Sequence, residues 1–253
     1  MNFKLQFFLL MLCIVISCEK DAPLEFVSHN NSESDIVICT TFSCPEVSVS
    51  YIQVIGDIDI ANKINSSINN HIISSLYLGD GEKDPKAITI IDAIENFIKM
   101  YRTHSAEFPD MAAEYFADVS VSKTYFSKEI ISLELREYLF TGGAHGYGSV
   151  EFMNLDPTTG EIISTKALFK NVNEFIPYAE RKFREEHSIP QTSNINSTGF
   201  WFKNDTFSLP TTIGLTSENI ILRYNQYEID SYAAGPVELE ISREEAQQFL
   251  NYK

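Results

Sequence analysis

His145 is the histidine of this chain whose surroundings could support chemistry. It lies in the segment 142–148, Gly-Gly-Ala-His-Gly-Tyr-Gly, where four glycines impose an irregular backbone. A histidine in such a loop can bind a ligand, or it can transfer protons together with a carboxylate that the fold brings close. The alternative is that the glycines shape a tight connection and that His145 caps backbone groups. The remaining histidines have polar sequence neighbours and are expected at the surface: His29, His71, His104 and His187.

A group of tyrosines in the C-terminal part is the second candidate site. A tyrosine combines a flat apolar ring with a hydroxyl group, which suits both sugars and protein interfaces. The alternative is that these tyrosines alternate along a strand and form part of a sheet core. Together with the glycine-rich loop, they give the predicted ligand-binding residues: His145, Tyr147, Tyr224, Asn225, Tyr227, Glu228 and Tyr232.

Motifs of the common enzyme classes are missing from the sequence. There is no nucleophile elbow, zinc-protease helix, phosphate-binding loop or calcium loop, so we predict no catalytic residues, no metal ion and no cofactor. Carboxylates are abundant, which leaves a glycosidase-like pair open, but any acidic protein has many carboxylates. Phe200-Trp201-Phe202 stands in a polar stretch and is expected to plug the core, with an exposed contact patch as the alternative.

The first residues of the chain have the pattern of a lipoprotein signal. Lys4 precedes an apolar run that ends at Ile16, and Ser17 leads directly to Cys18. We therefore predict a signal peptide over residues 1–17 and lipid attachment at Cys18, with an ordinary secretory signal as the alternative. The next three residues, Glu-Lys-Asp, resemble the surface-export signal of Bacteroidetes lipoproteins. The expected location is the cell envelope, anchored to the outer membrane at its periplasmic face or at the cell surface.

Two cysteines remain after the predicted processing. Cys39 and Cys44 are separated by four residues and would lie in an oxidising compartment, where a disulfide can close a small loop. Without a second pair or nearby histidines they make a poor zinc site. We predict a disulfide that fixes the entrance to the folded domain.

The net charge restricts the possible partners. It is −16, and it becomes −17 when Lys4 leaves with the signal. Such a chain repels phosphate backbones, so we expect no nucleic acid as a partner. The same field attracts basic proteins, although negative charge also simply keeps an exported protein soluble. No second apolar run is long enough to span a bilayer, so the lipid is expected to provide the membrane contact.

The periodicity of apolar residues predicts an α+β fold of two modules, each a small antiparallel sheet packed with helices. The predicted divisions are a signal peptide over 1–17, a flexible tether over 18–35, an N-terminal module over 36–137 and a C-terminal module over 138–253. The first module is expected to contain a strand near 47–52, a helix over 57–78, a helix after Pro85 and a hairpin around 117–135. The second is expected to contain a hairpin over 150–163, a helix over 173–186, strands at 219–224 and 237–241, and a short final helix capped by Ser242 and Glu245.

Three separated segments resemble one known family. They are 138–146, with Tyr-Leu-Phe-Thr-Gly-Gly-Ala-His-Gly, 154–161, with Asn-Leu-Asp-Pro-Thr-Thr-Gly-Glu, and 224–236, which contains the tyrosine group. They resemble the domain of unknown function 3298, which also ends the extracellular region of a Bacillus anti-sigma factor that serves as a lysozyme receptor. The preceding module resembles the domain that accompanies it in the non-catalytic N-terminal region of the peptidoglycan deacetylase PdaC.

The resemblance implies a fold and an extracytoplasmic binding role. We find neither a sigma-binding segment nor a catalytic deacetylase domain in the sequence, so signalling and deacetylation are not expected. The predicted function is a lipid-anchored envelope binding protein, a binder rather than an enzyme, whose ligand is a peptidoglycan-type glycan or a basic protein such as lysozyme. The alternatives are an envelope polysaccharide hydrolase that uses His145 with a carboxylate, and a purely structural lipoprotein.

Overall fold

The structure is a computed structural model that describes residues 23–79, 86–109 and 113–252. The predicted signal peptide and the predicted lipidation site Cys18 lie outside the described residues. Two sheets and four α-helices make up the described part, which confirms the predicted α+β class. None of the described helices is both long enough and apolar enough to cross a membrane.

The larger sheet has five strands in the order in which they occur along the chain. All neighbours are antiparallel except β2 and β3, which are parallel because two helices form the crossover between them. The strands are β1 (Glu25–Ser32), β2 (Glu46–Ile55), β3 (Phe116–Phe126), β4 (Ile131–Phe140) and β5 (Tyr147–Leu155).

The two crossover helices cover one face of this sheet. Helix α1 spans Ile58–Ser75, and Asp57 caps its start by accepting from two backbone N–H groups. Helix α2 spans Ile90–Glu107, where Thr89 and Asp92 form a capping box. The isoleucines at every fourth position of α1 are buried against the sheet, as the spacing predicts: Ile64, Ile68 and Ile72.

The smaller sheet has three antiparallel strands and its own core. Helix α3 (Val172–Glu186) buries Phe175, Ala179 and Phe183, which confirms the predicted face. The strands are β6 (Thr212–Leu215), β7 (Asn219–Tyr224) and β8 (Val237–Ser242), and α4 (Arg243–Ala246) follows. Short 3-10 turns occupy Glu33–Asp35, Val37–Thr40, Thr165–Leu168, Lys203–Asp205 and Tyr232–Ala234.

Two of the predicted divisions need correction. The tether over 18–35 is wrong from Glu25 onwards, because β1 pairs along its whole length with β2. As an edge strand it has no fully buried residue, which is why its composition resembles a linker. The module boundary after residue 137 falls inside β4, and β5 belongs to the first sheet. The first core ends with Leu155, so the structural boundary comes later in the chain.

Three local expectations were also wrong. Residues 161–163 do not return as a strand, since they contribute a single bridge between Ile162 and Leu155. Ser242 precedes α4, but its side chain makes no capping hydrogen bond. Helix α1 ends at Ser75, which is earlier than predicted.

Buried hydrogen bonds join the two sheets. The N–H of Leu215 donates to the hydroxyl of Ser132 at 3.0 Å, and Ser132 is fully buried. The amide of Asn154 donates to the carbonyl of Ile213 at 2.8 Å. These bonds attach β6 to the face of β4 and β5 that points away from helices α1 and α2. The rest of that face stays open beside the smaller sheet.

Cys39 and Cys44 form a disulfide with their Cα atoms 5.6 Å apart. It closes the segment immediately before β2, at the place where the sequence predicts it. Both cysteines are partly buried against the first core. The disulfide therefore holds the entry into β2.

Candidate ligand-binding groove

The glycine-rich loop connects β4 to β5. Some of its glycines adopt positive φ angles, and another allows a close approach of a side chain. Gly142 and Gly143 have φ values of +102° and +93°, which L side chains rarely adopt. A Cβ on Gly146 would lie 2.5 Å from both Cζ and the hydroxyl oxygen of Tyr138. Glycine thus lets the loop turn back and press against the Tyr138 ring, whose side chain remains 43% exposed.

His145 is held in a defined position by this loop and by a distant segment. Its Nδ1 lies 3.0 Å from the carbonyl oxygen of Gly146, which also accepts from the hydroxyl of Tyr232 at 2.8 Å. The rings of His145 and Tyr232 stack with centroids 3.8 Å apart. A neutral His145 that donates through Nδ1 leaves Nε2 as an acceptor. Among the described residues, its contacts include no carboxylate, so the expected acid–base partner is not beside it.

Tyr227 extends this arrangement. Its ring centroid lies 5.6 Å from that of Tyr232, and its side chain is exposed. Its φ of +68° is uncommon for a residue with a bulky side chain. Backbone strain of this kind persists only where the surrounding structure holds it, and it concentrates at functional sites. We call His145, Tyr232 and Tyr227 the aromatic stack.

The aromatic stack lies at one end of a groove of about 360 Å³ between the two sheets. Tyr232 is part of the aromatic stack and also lines the groove. The side chains that define this inter-sheet groove come from β3, β4, β7 and the segment after β7: Asp118, Ser120, Arg136, Tyr138, Arg223, Gln226 and Tyr232. The register places Asp118 opposite Tyr138 and Ser120 opposite Arg136, so these four share the open face of the larger sheet.

Both arginines of the groove are already paired. Arg136 binds Glu134 with two hydrogen bonds of 2.6 and 3.2 Å, and this contact raises the pKa of Arg136. Arg223 donates to Glu238 at 2.9 Å. The groove therefore presents fixed donors and acceptors and carries no unbalanced positive charge. Such a lining suits an uncharged, hydroxyl-rich ligand better than a strong anion.

Three predicted ligand-binding residues have structural contacts instead. Tyr224 is only 1% exposed, and its hydroxyl donates to the carbonyl of Ser208 at 2.7 Å, so the sheet-core alternative is correct for it. Burial raises the pKa of Tyr224. Asn225 donates to and accepts from the backbone of Val150, at 3.0 and 2.9 Å. Glu228 accepts from the N–H groups of Asn225 and Thr211.

Tyr147 points away from the groove. Successive residues of a strand face opposite sides of the sheet, and Gly148 lines the groove. Burial, and then the charges of Glu137, Glu228 and Glu151, raise the pKa of Tyr147. Tyr147 begins β5 and pairs with Leu139, so its side chain lies on the face of the sheet opposite the groove.

Two histidines expected at the surface are largely enclosed. His71 has its Nδ1 4.0 Å from Glu151 and its Nε2 3.5 Å from the hydroxyl of Ser75. Burial lowers the pKa of His71, while the charges of Glu151 and Glu137 oppose that shift. His187 packs between Phe183 and Phe200, and its ring centroid lies 4.3 Å and 4.9 Å from theirs. Its Nε2 is buried and has no hydrogen-bond partner among the described residues.

The aromatic triplet divides between core and surface. Phe202 is buried and Phe200 packs against the second core, which agrees with the predicted plug. Trp201 between them is exposed. Within the described residues, no group of three or more His, Cys, Asp or Glu side chains is placed to hold a metal ion.

Comparison with protein families accounts for most of this architecture. Residues 164–244 match the family model described as "Protein of unknown function (DUF3298)". The chain carries a DUF3298 domain. Residues 39–147 match the model described as "Deacetylase PdaC", so both predicted resemblances are confirmed. A DUF3298 domain preceded by a PdaC domain indicates an envelope-associated protein of unknown function.

Solved structures of the DUF3298 family share this fold. One, from Bacteroides fragilis NCTC 9343, is 19% identical with a TM-score of 0.64, and the match covers 92% of this chain and 96% of that one. Another, from Pseudomonas aeruginosa PAO1, is 17% identical with a TM-score of 0.57, and the match covers 92% of this chain and 95% of that one. None of the curated proteins matches the chain.

Sequence reasoning missed most of the groove. Asp118, Ser120 and Arg136 occupy the polar positions of alternating strands, so the period-two pattern places them on one face. It does not reveal that the second sheet leaves part of this face open. Tyr138 lies four residues before Gly142, and its proximity to four glycines was the available signal.

Proposed function

We propose that this protein is a lipid-anchored, non-enzymatic binding protein of the bacterial cell envelope, and that a peptidoglycan-type glycan is its ligand. The observation that carries the proposal is the juxtaposition of exposed aromatic rings with a groove of charge-paired polar side chains. We place the lipid at Cys18 and the glycan in the inter-sheet groove.

The aromatic component fits the apolar face of a sugar. The C–H groups of a pyranose ring pack against aromatic rings, and a fixed platform keeps the entropy cost of that contact low. Tyr138 and the aromatic stack present such rings at the groove. The contacts between Tyr232, Gly146 and His145 hold the platform in place before any ligand arrives.

The polar component fits the hydroxyl groups. Arg136 and Arg223 are held by glutamates, and each guanidinium has further N–H groups to donate. Asp118 supplies acceptors and Gln226 supplies both kinds of group. Hydroxyl groups donate and accept, so a lining of mixed character matches them, whereas a strongly charged ligand would disturb the existing pairs.

A basic protein such as lysozyme is the second candidate. The net charge of −16 favours it, because a strong negative field raises the rate at which a cationic protein is encountered. Such binding would weaken as salt rises towards physiological strength. Binding of the hydroxyl groups of a glycan would depend little on salt, because they carry no charge to be screened.

Co-sedimentation with purified insoluble peptidoglycan tests the proposal. Ser120→Phe places a ring in the groove, and Ser122→Phe is its matched control, since Ser122 lies two residues further on the same strand face, opposite Glu134. We expect the wild type and Ser122→Phe to sediment with the polymer and Ser120→Phe to remain in solution. Equal sedimentation of both variants would contradict binding in the groove.

Two further measurements distinguish a glycan-binding protein from a lysozyme-binding protein and from a hydrolase. Binding to immobilised lysozyme that is weakened but not abolished at physiological salt, without binding to peptidoglycan, would favour the basic-protein candidate. Release of soluble sugar by the wild type, lost in His145→Ala, would favour a hydrolase. Cys18→Ala tests the anchor separately, because it should release the protein from the membrane fraction without changing its binding to peptidoglycan.

A further inference from the structure

We infer that the end of the larger sheet where β1 begins rests on the lipid surface, so that the inter-sheet groove points away from the membrane. This inference rests on the proposed lipid at Cys18. Two observations carry it: the short chain between Cys18 and β1, and a group of exposed apolar side chains at this end of the sheet. We call that group the apolar end, and it consists of Val27, Ile55, Ile58 and Phe126.

The anchor allows little separation from the bilayer. Strand β1 starts at Glu25, so seven residue steps connect it to Cys18. A fully extended chain covers at most about 3.5 Å per residue, which gives a reach of roughly 25 Å. A lipid at Cys18 therefore keeps the start of β1 close to the membrane, whatever path the connecting residues take.

The apolar end lies where this short connection arrives. Ile55 pairs directly with Glu25, and Ile58 follows three residues later at the start of α1. Their exposed fractions are 49% and 72%, which is high for isoleucine. On the neighbouring strand, Phe126 is 39% exposed, and its ring lies 5.1 Å from that of Phe26 in β1. Exposed apolar side chains this close to the start of β1 lie within reach of a membrane to which Cys18 is anchored.

The chemistry of this end fits the interface of a bilayer. Lys123 lies over the ring of Phe26, with its ammonium 4.3 Å from the ring centre, and Lys128 is exposed in the adjacent turn. Lysines beside apolar groups can bury their stems and keep their charges at the level of the headgroups. The whole protein is strongly acidic, so we expect the contact to be apolar in origin.

The groove lies at the opposite end of the same strands. Asp118 lines the groove and Phe126 belongs to the apolar end, and they are eight residue steps apart along β3. At about 3.3 Å per residue, this places the groove roughly 26 Å from the membrane contact. A ligand in the envelope would thus meet an open groove, while the lipid and the apolar end fix the orientation below it.

Lipid-dependent quenching of a fluorescent label tests this orientation. The lipidated full chain is reconstituted into vesicles of phosphatidylethanolamine and phosphatidylglycerol, with an environment-sensitive dye on Phe126→Cys or Ile58→Cys. Phe108→Cys is the matched control, because Phe108 is exposed and lines a pocket with Tyr115, Gly142 and Gly143 at the groove end. We expect lipids brominated in their acyl chains to quench the first two labels and to leave the third unchanged.

The possible failures are distinguishable. If the labelled protein floats with the vesicles but none of the labels is quenched, or all are quenched equally, the orientation is wrong and the anchor stands. If the protein does not float and Cys18→Ala behaves like the wild type, the proposed lipid at Cys18 is wrong. The proposed orientation, which depends on that lipid, is then wrong as well. Neither result affects glycan binding, which is measured without vesicles.

Discussion

The imidazole of His145 lies against the ring of Tyr232, with centroids 3.8 Å apart and an angle of 20° between the planes. The hydroxyl of Tyr232 also donates to the carbonyl of Gly146, next to His145. The glycine-rich loop and the segment after β7 are therefore fixed to each other by one side chain. This contact connects two of the sequence segments that identified the family and places both beside the groove.

Removing the ring of Tyr232 should weaken glycan binding more than removing its hydroxyl. Tyr232→Phe keeps the stack and loses one hydrogen bond, so we expect nearly unchanged affinity and a loss of about 1 kcal/mol in the free energy of unfolding. Tyr232→Ala removes the platform, and we expect about tenfold weaker binding, or roughly 1.4 kcal/mol. Titration with solubilised peptidoglycan fragments measures both. Equal affinities of the two variants would contradict a role for the ring.

Tyr227 should show a trade-off between stability and binding. Its φ of +68° is unfavourable for any residue with a Cβ and easy for glycine. We expect Tyr227→Gly to be about 1 kcal/mol more stable than Tyr227→Ala, since the alanine variant keeps the strain. Both should bind glycan more weakly than the wild type, because both lose the exposed ring. Urea denaturation of the two variants gives the comparison, and equal midpoints would show that the backbone carries no strain.

Asn225 should prove to be a structural residue. Its amide bonds both the N–H and the carbonyl of Val150, which ties the segment after β7 to β5. Asn225→Ala leaves these two backbone groups without their partner, so we expect a loss of about 1–3 kcal/mol in the free energy of unfolding. The exposed Asn173 at the start of α3 provides the control, and its alanine variant should stay close to the wild type. If Asn225→Ala is as stable as the wild type but no longer binds glycan, Asn225 contacts the ligand and the structural role is wrong.

Acid should destabilise the protein through its enclosed histidines. Burial lowers the pKa of His71 and of His187 below the usual 6.5. The unfolded chain then takes up protons first, so the stability that these groups contribute is complete above about pH 6.5 and decreases as the pH falls. His187→Phe removes one titrating group while keeping an aromatic ring beside Phe183. The variant should lose less stability than the wild type between pH 7 and 5 in thermal unfolding, and parallel curves would contradict this.

An element could be predicted from the sequence where one of its faces is buried, because burial imposes a regular spacing of apolar residues. Helix α1 was predictable because Ile64, Ile68 and Ile72 repeat at helical spacing and are all buried. Strand β1 was not, since an edge strand buries few side chains and its sequence is polar. Strand β6 has only four residues, all buried, and a run that short has no readable period.

The candidate site shows the same limit. His145, Tyr227 and Tyr232 were predicted from their residue types and their sequence neighbours, and the structure brings them together. Tyr224 was misplaced because alternation along β7 does not say which face the second core covers. The groove residues Arg136 and Arg223 come from strands of different sheets, and no local pattern reports that these sheets meet.

Calorimetric titration of the soluble chain, with Cys18 replaced, against muramidase-solubilised peptidoglycan fragments tests the central claim most directly. The wild type and Ser122→Phe should bind saturably, with affinities that change little between low and physiological salt, while Ser120→Phe should show no heat of binding. Circular dichroism and thermal unfolding confirm that the variants are folded. Equal binding by Ser120→Phe and the wild type, or no binding by the wild type, would contradict a glycan site in the inter-sheet groove.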